Sequence, residues 1–273
     1  MMAAFGFTDI LVLFCIMAIC FGAWRKKSLA VSGAVTAFLL TSALYVLGGI
    51  PFLAPLLVFF ISSSLLTKWK SEKKEPMEKR LYEKSGTRDY AQVLANGGAG
   101  LLIAVLYYIN PSKENVLALF TAFAACNADT WASEVGILSR SKPFSILTLK
   151  PVQRGISGGV SFLGLFASLF GAGLISGVYG FFMFFKFTLT ELVISCFIIT
   201  VSGFAGSLID SVLGVTLQPA YLEQASGKLT EKKYNNGTKN TKVKGFEFFS
   251  NDMVNFISSL AAACLALIVF SLL

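Results

Sequence analysis

Apolar residues in this chain gather into blocks of roughly 18–28 residues, and clusters of basic, glycine or proline residues separate them. About 20 consecutive apolar residues suffice for a helix to cross a bilayer. Residues 6–23 form the first block, closed by Trp24-Arg25-Lys26-Lys27. The apolar stretch 28–65 is too long for one span. Gly48-Gly49-Ile50-Pro51 divides it, because glycine pairs and proline punctuate helices. Further spans are predicted at 91–110, 114–138, 158–182, 187–214 and 252–272. The pattern predicts an all-α, polytopic integral membrane bundle of about 8 transmembrane helices. Seven is the alternative count, because 28–65 and the glycine-rich sixth block are both irregular. One membrane domain covers 1–273, and its hydrophilic loops lie near 67–90, 139–157 and 216–248.

Charge placement tests this topology. The segments 24–28, 67–90, 139–157 and 216–248 hold 21 of the 23 Lys and Arg residues, leaving only Lys113 and Lys186 elsewhere. With eight spans all four basic loops fall on one face. The positive-inside rule makes that face cytoplasmic and puts both termini outside. The net charge of +8 therefore reflects topology rather than nucleic-acid binding. The N-terminus has neither a basic n-region nor a cleavage site, so the first block reads as a span, not a removed leader. A bacterial-type plasma membrane is the expected location.

Composition then narrows the chemistry. Hydrophobic residues make up 55% of the chain and charged residues 14%. There is no histidine, and the five cysteines (Cys15, Cys20, Cys126, Cys196, Cys264) lie in apolar segments without a CxxC pair. Structural zinc and histidine-based acid–base mechanisms are thereby excluded or nearly so. Any catalysis must rest on carboxylates, Lys and Arg, hydroxyls and a bound metal.

Four polar patches interrupt the apolar pattern on the cytoplasmic side. The first is Asn127-Ala128-Asp129-Thr130-Trp131-Ala132-Ser133-Glu134-Val135-Gly136. A carboxylate within a membrane segment costs roughly 2.5–3.5 kcal/mol on insertion scales. On a helix Asp129 shares a face with Ser133, and Thr130 with Glu134. The second patch holds Lys142, Lys150, Arg154, Gly155, Ser157, Gly158, Gly159 and Ser161, with no acid. Basic residues running into a glycine-rich helix start suit a phosphate; a plain positive-inside loop is the alternative. The third patch places Gly203, Gly206, Ser207, Asp210 and Gly214 on one small-residue face, with Ser211 beside Asp210. Small residues permit close helix approach, which accounts for the glycines but not for Asp210. The fourth is Asn251-Asp252 and Asn255, read as a helix cap or as a wall of the same site. Asn96-Gly97-Gly98 is similarly a packing notch or a site contribution. Two carboxylates with hydroxyls beside them form an oxygen-rich cage suited to Mg²⁺ bridged to phosphates. No GxxxxGK[ST] or GxGxxG motif points to a soluble nucleotide fold.

These motifs resemble the DUF92 and transmembrane protein 19 family: NADTWASEVG, the segment ending SGGVS, and GxxGSxxDSxLGxxxQ, in that order over nearly the whole chain. That family includes the plant phytyl-phosphate kinase of the vitamin E pathway. The chain is also more loosely similar to CTP-dependent polyprenol kinases and CDP-diacylglycerol synthases. The resemblance implies a kinase that uses Mg²⁺ and a nucleoside triphosphate, CTP foremost, to convert a membrane-bound isoprenoid monophosphate to the diphosphate. By motif it marks Asn127, Asp129, Ser133 and Glu134, then Gly155, Ser157, Gly158, Gly159 and Ser161, then Ser207, Asp210, Ser211, Gly214 and Gln218. Ile156 stands where the family often has Thr. On this reading Asp129 and Asp210 are metal ligands, and Glu134 is a third ligand or an orienting base. Lys142, Lys150, Arg154 and the glycines hold phosphates. Asn96, Asn251 and Asn255 supply polar walls. A transporter of an anionic substrate and a CDP-lipid cytidylyltransferase are the rival expectations, and a homo-oligomer is left open.

Overall fold

In a computed structural model the described residues are 6–74, 86–224, 227–235 and 237–273. They include eight long helices: α1 (Phe7–Arg25), α2 (Val31–Gly48), α3 (Ile50–Lys68), α4 (Tyr90–Ile109), α5 (Lys113–Gly136), α6 (Phe162–Met183), α7 (Leu189–Thr216) and α8 (Asn251–Ser271). All except α5 are long and apolar enough to cross a membrane. Part of the hydrophilic loop expected at 67–90, residues 75–85, lies outside the described residues, as do 225, 226 and 236.

Sequence chemistry explains the boundaries. Gly49 separates α2 from α3 with φ +70°, and Pro51 follows in the first turn of α3, where its missing N–H costs nothing. Asp89 caps α4 by accepting from the Gln92 N–H, and Ser112 and Thr188 do the same for α5 and α7. The sixth helix departs from expectation. It begins at Phe162 with Ser161 as its cap, so Gly158 and Gly159 belong to the preceding loop. Gly158 has φ +78°, a conformation that ends regular helix.

The helices wrap α5. Every residue from Val116 to Ala128 is buried. Around it run α3, α6, α7, α8 and α4 in that order, and α2 closes the ring between α4 and α3. The remaining helix, α1, packs outside α2. Apolar side chains face outward, Phe170 on α6, Phe197 on α7 and Ile109 on α4 among them, as a lipid-facing surface requires. Enclosure explains why α5 differs in composition: lipid does not touch it, so Ala, Cys, Asn and Asp replace large aliphatic residues. Small residues bring the neighbours close. A Cβ on Gly206 of α7 would lie 2.6 Å from the Ala125 Cβ and 2.8 Å from that of Ala262.

The basic loops gather at the end shared by the C-termini of α1, α3, α5 and α7 and the N-termini of α4, α6 and α8. The loops carry seven short strands that the sequence pattern did not suggest. β1 (Phe144–Ser145) pairs with β2 (Gly159–Val160). After α7, β3 (Ala220–Leu222) lies between β4 (Leu229–Thr230) and β7 (Thr241–Lys244), and β5 (Tyr234–Asn235) pairs with β6 (Thr238–Lys239). Lys244 donates to the Val215 carbonyl at 2.9 Å and so ties this β unit to the end of α7.

Gly206→Val should lower stability by about 1–3 kcal/mol through overpacking. Gly177→Ala on α6, where an added Cβ meets nothing within 4 Å, should leave it unchanged or raise it. Thermal unfolding in detergent compares the two.

Candidate functional site

At the polar end of α5 the bundle opens into a cavity of about 490 Å³, within the usual range of small-molecule sites. Its floor is the last turns of α5. Helical periodicity divides the polar residues there between two tasks. Asn127 and Trp131, one turn apart, point away from the cavity. Asn127 accepts from Ser62 Oγ at 2.9 Å and donates to the Gly171 carbonyl at 2.7 Å, and Trp131 donates to the same Ser62 hydroxyl at 3.2 Å. They fasten α3 and α6 to α5. Asp129, Thr130, Ser133 and Glu134 line the cavity instead.

Asp210 on α7 joins them in lining the same cavity. Ser258 of α8 donates to Asp210 Oδ2 at 2.9 Å and fixes its carboxylate. Among the described residues no donor is bonded to Asp129. Glu134 is more committed. One of its oxygens accepts from Thr67 and the other pairs with the ammonium of Lys74, which is almost fully buried and also donates to the Leu66 carbonyl at 2.6 Å.

Residues 154–161 form the wall near α7. Gly158 is held against that helix so closely that a Cβ would meet the Ser211 carbonyl oxygen at 2.7 Å and Val215 closer still. Gly155, Ser157, Gly158 and Gly159 all line the cavity, and Ser157 donates to Glu231 at 2.5 Å. Arg154 lines it too, while donating to the Arg140 carbonyl at 2.7 Å. Asn96, Ser207, Ser211, Gln218, Asn251 and Asn255 complete the set of expected residues found here. Ser250, not Asn251 or Asp252, caps α8, which leaves Asn251 turned to the cavity. Lys142, Lys150 and Asn127 do not line it.

Several lining residues went unnoticed in the sequence. Arg88 sits at the end of the hydrophilic loop near 67–90, and it donates to Ser63 Oγ at 3.0 Å. Burial works against its charge and lowers its pKa, while Glu134 acts the other way. Lys233 and Glu247 come from the β unit and pair at 2.8 Å, which raises the lysine pKa and lowers that of the carboxylate. Only the closeness of Arg88 to Gln92 and Asn96 in sequence could have signalled its place.

Taken together the described lining carries six carboxylates (Asp129, Glu134, Asp210, Glu231, Glu247, Asp252) and three cations (Arg88, Arg154, Lys233). A phosphate entering alone would meet net negative charge. No cluster of three Asp, Glu, Cys or His residues forms a protein-only metal cage among the described residues. Two carboxylates plus water and substrate oxygens are the usual donors to Mg²⁺, so Asp129 and Asp210 fit that ion.

Residues 14–263 match the family described as "Integral membrane protein DUF92". The chain belongs to that family. It is 34% identical to "Protein PGR" of Arabidopsis thaliana over 90% of its own length and 91% of the relative's. It is also 31% identical to an uncharacterized membrane protein of Methanocaldococcus jannaschii, covering 78% of this chain and 83% of that one. A third relative, an uncharacterized membrane protein of Synechocystis, is 32% identical over 63% of this chain and 65% of its own. No solved structure matches. This is therefore an integral membrane protein whose family resemblance runs from within α1 to within α8 and includes both Asp-bearing helices.

Lys74→Met leaves the Glu134 carboxylate without its ion partner and should cost about 3–5 kcal/mol. Lys74→Met with Glu134→Gln should recover most of that loss. Chemical or thermal unfolding of both variants checks the coupling.

Proposed function

We propose that this membrane protein is a Mg²⁺-dependent isoprenoid phosphate kinase, which transfers the terminal phosphoryl group of a nucleoside triphosphate, CTP foremost, to a prenyl monophosphate. The observation that carries the reading is the meeting of Asp129 and Asp210, from two helices, in one cavity walled by Arg154 and the Gly155–Gly159 loop. The cavity lies at one end of the bundle, among the basic loops. Below it the interior is closed by Leu117, Phe120, Phe123, Ile198 and Ile199. A surface enzyme acting on a lipid fits that arrangement better than a transport pathway, whose polar groups would reach both faces. The positive-inside rule puts the site on the cytoplasmic side, where nucleotide is supplied.

In the reaction an oxygen of the acceptor phosphate bonds to the γ-phosphorus. The bond from that phosphorus to the β,γ-bridging oxygen breaks, and the nucleoside diphosphate leaves with the electron pair. Mg²⁺ held by Asp129 and Asp210 would offset the charge on the phosphates. Arg154 and the N–H groups of the glycine loop would hold the nucleotide phosphates in line. Asp210 stays aimed through its bond from Ser258. A phosphate monoester has its second pKa near 6, so the acceptor is already an oxyanion at neutral pH and needs no general base. The absence of histidine and the commitment of Glu134 to Thr67 and Lys74 suit that chemistry. The acceptor's apolar tail would lie among the spans with its phosphate at the cavity.

The test uses purified protein in detergent with Mg²⁺, CTP or ATP, and a panel of prenyl monophosphates. Label from the γ position should appear in a prenyl diphosphate. Asp129→Asn and Asp210→Asn should each slow transfer by about 100-fold or more, roughly 2.7 kcal/mol, with little change in unfolding midpoint. Label entering lipid from the α position instead would indicate cytidylyl transfer. If no label moved while the nucleotide stayed intact, the enzyme reading would fall.

A further inference from the structure

Among the described residues Arg88 is a cation without a counter-ion. Its guanidinium offers five N–H donors, yet among the described residues it makes one side-chain hydrogen bond, to Ser63, and no ion pair. It lies 5.9 Å from the Phe59 ring and 5.6 Å from that of Phe60, both on α3. The nearby Glu134 has both oxygens engaged elsewhere. A charge held in such surroundings is ordinarily paired, and the open side of Arg88 is the cavity.

Its backbone is anchored. The Arg88 N–H donates to the Ser28 carbonyl at 3.2 Å, and its carbonyl accepts from the Ala30 N–H at 2.9 Å. On α2, Gly33 packs so closely that a Cβ would sit 2.2 Å from the Arg88 oxygen. The turn between α1 and α2, otherwise remote from the cavity, thus places this one residue. In the ring of helices α2 lies across α5 from α7, the helix on which the Arg154 loop packs through Gly158, so Arg88 and that loop reach the cavity from different walls.

We infer that Arg88 anchors a second phosphate subsite, on the wall between α3 and α4, which takes the monoester phosphate of the lipid acceptor while the Arg154 loop takes the nucleotide. The inference rests on the kinase reading for the identity of the two ligands. The α3 side suits the lipid because Phe60, beside the guanidinium, is partly exposed, and Ile61 and Leu65 of the same helix present apolar side chains outward. The loop side adjoins the polar β unit. Gln92 and Asn96 line the same cavity from α4, the Gln92 Oε1 accepting from the Asp89 N–H and the Asn96 Nδ2 donating to the Gln92 carbonyl. A planar fork to phosphate is specific to arginine, so lysine should replace it only in part.

Calorimetric titration of the full chain in detergent, with farnesyl monophosphate and separately with CTP and Mg²⁺, tests this. Arg88→Gln should weaken farnesyl monophosphate binding by about tenfold or more and leave CTP within about twofold. Arg88→Lys should give an intermediate loss for the lipid alone, and Arg154→Gln the reverse selectivity. Unchanged lipid affinity in Arg88→Gln would overturn the inference, as would a loss confined to CTP. So would equal loss of both ligands in Arg88→Lys. Selective lipid binding without any phosphoryl transfer would sink the kinase reading and leave the Arg88 subsite standing. Transfer with an indifferent Arg88 would do the opposite.

Discussion

Two carboxylates held away from bulk water, on separate helices and facing one cavity, set the terms for the rest of this structure. Such groups are expensive within a bilayer unless paired, hydrated or metal-bound. Placing Asp129 at the end of a helix that no lipid touches reduces that cost, and it requires the other helices to enclose α5. Enclosure in turn needs close approach. Gly206 against Ala125, and Gly171 against Ala128, supply it. Asn127 and Trp131 then lock α3 and α6 onto the same helix through Ser62 and the Gly171 carbonyl. One ten-residue motif therefore builds the packing on one face of the helix and the site on the other.

Much of this was legible in the sequence. Lipid-facing helices must be apolar over their full length, so block lengths and basic loops revealed the spans. The division of 28–65 at Gly49 followed from backbone chemistry. The carboxylates stood out for the same reason: Asp129 and Asp210 break apolar runs where nothing cheaper than function explains them. Legibility failed where position depends on tertiary contact. A helix pattern cannot tell which side of α5 meets another helix, so Asn127 and Asp129 looked alike. Lys142 and Lys150 looked like Arg154, because charge alone does not say which residues of a loop turn inward. Arg88 and Lys74 lay in a mixed-charge loop whose usual fate is solvation. The strands after α7 are two to four residues each, too short for any alternation to show.

The surplus of carboxylates over cations in the cavity bears on chemistry as well as on folding. A site for phosphates alone would be expected to carry net positive charge, as phosphate-binding surfaces commonly do. This one instead carries more acids than cations, with Arg88 contributed beside α3 and Arg154 by the loop that packs on α7. That distribution suits a divalent ion between two phosphate-bearing ligands better than it suits either ligand by itself. It also assigns work to the α1–α2 turn, which touches the cavity only by fixing Arg88.

On the proposed reading Asp129 and Asp210 act as one divalent-cation site in the presence of nucleotide. Mn²⁺ in place of Mg²⁺, followed by electron paramagnetic resonance on purified protein with CTP, measures this most directly. A bound Mn²⁺ signal in the wild type, lost in both Asp129→Asn and Asp210→Asn and no further reduced in the double variant, is the expected result. Full Mn²⁺ binding in either single variant would contradict it.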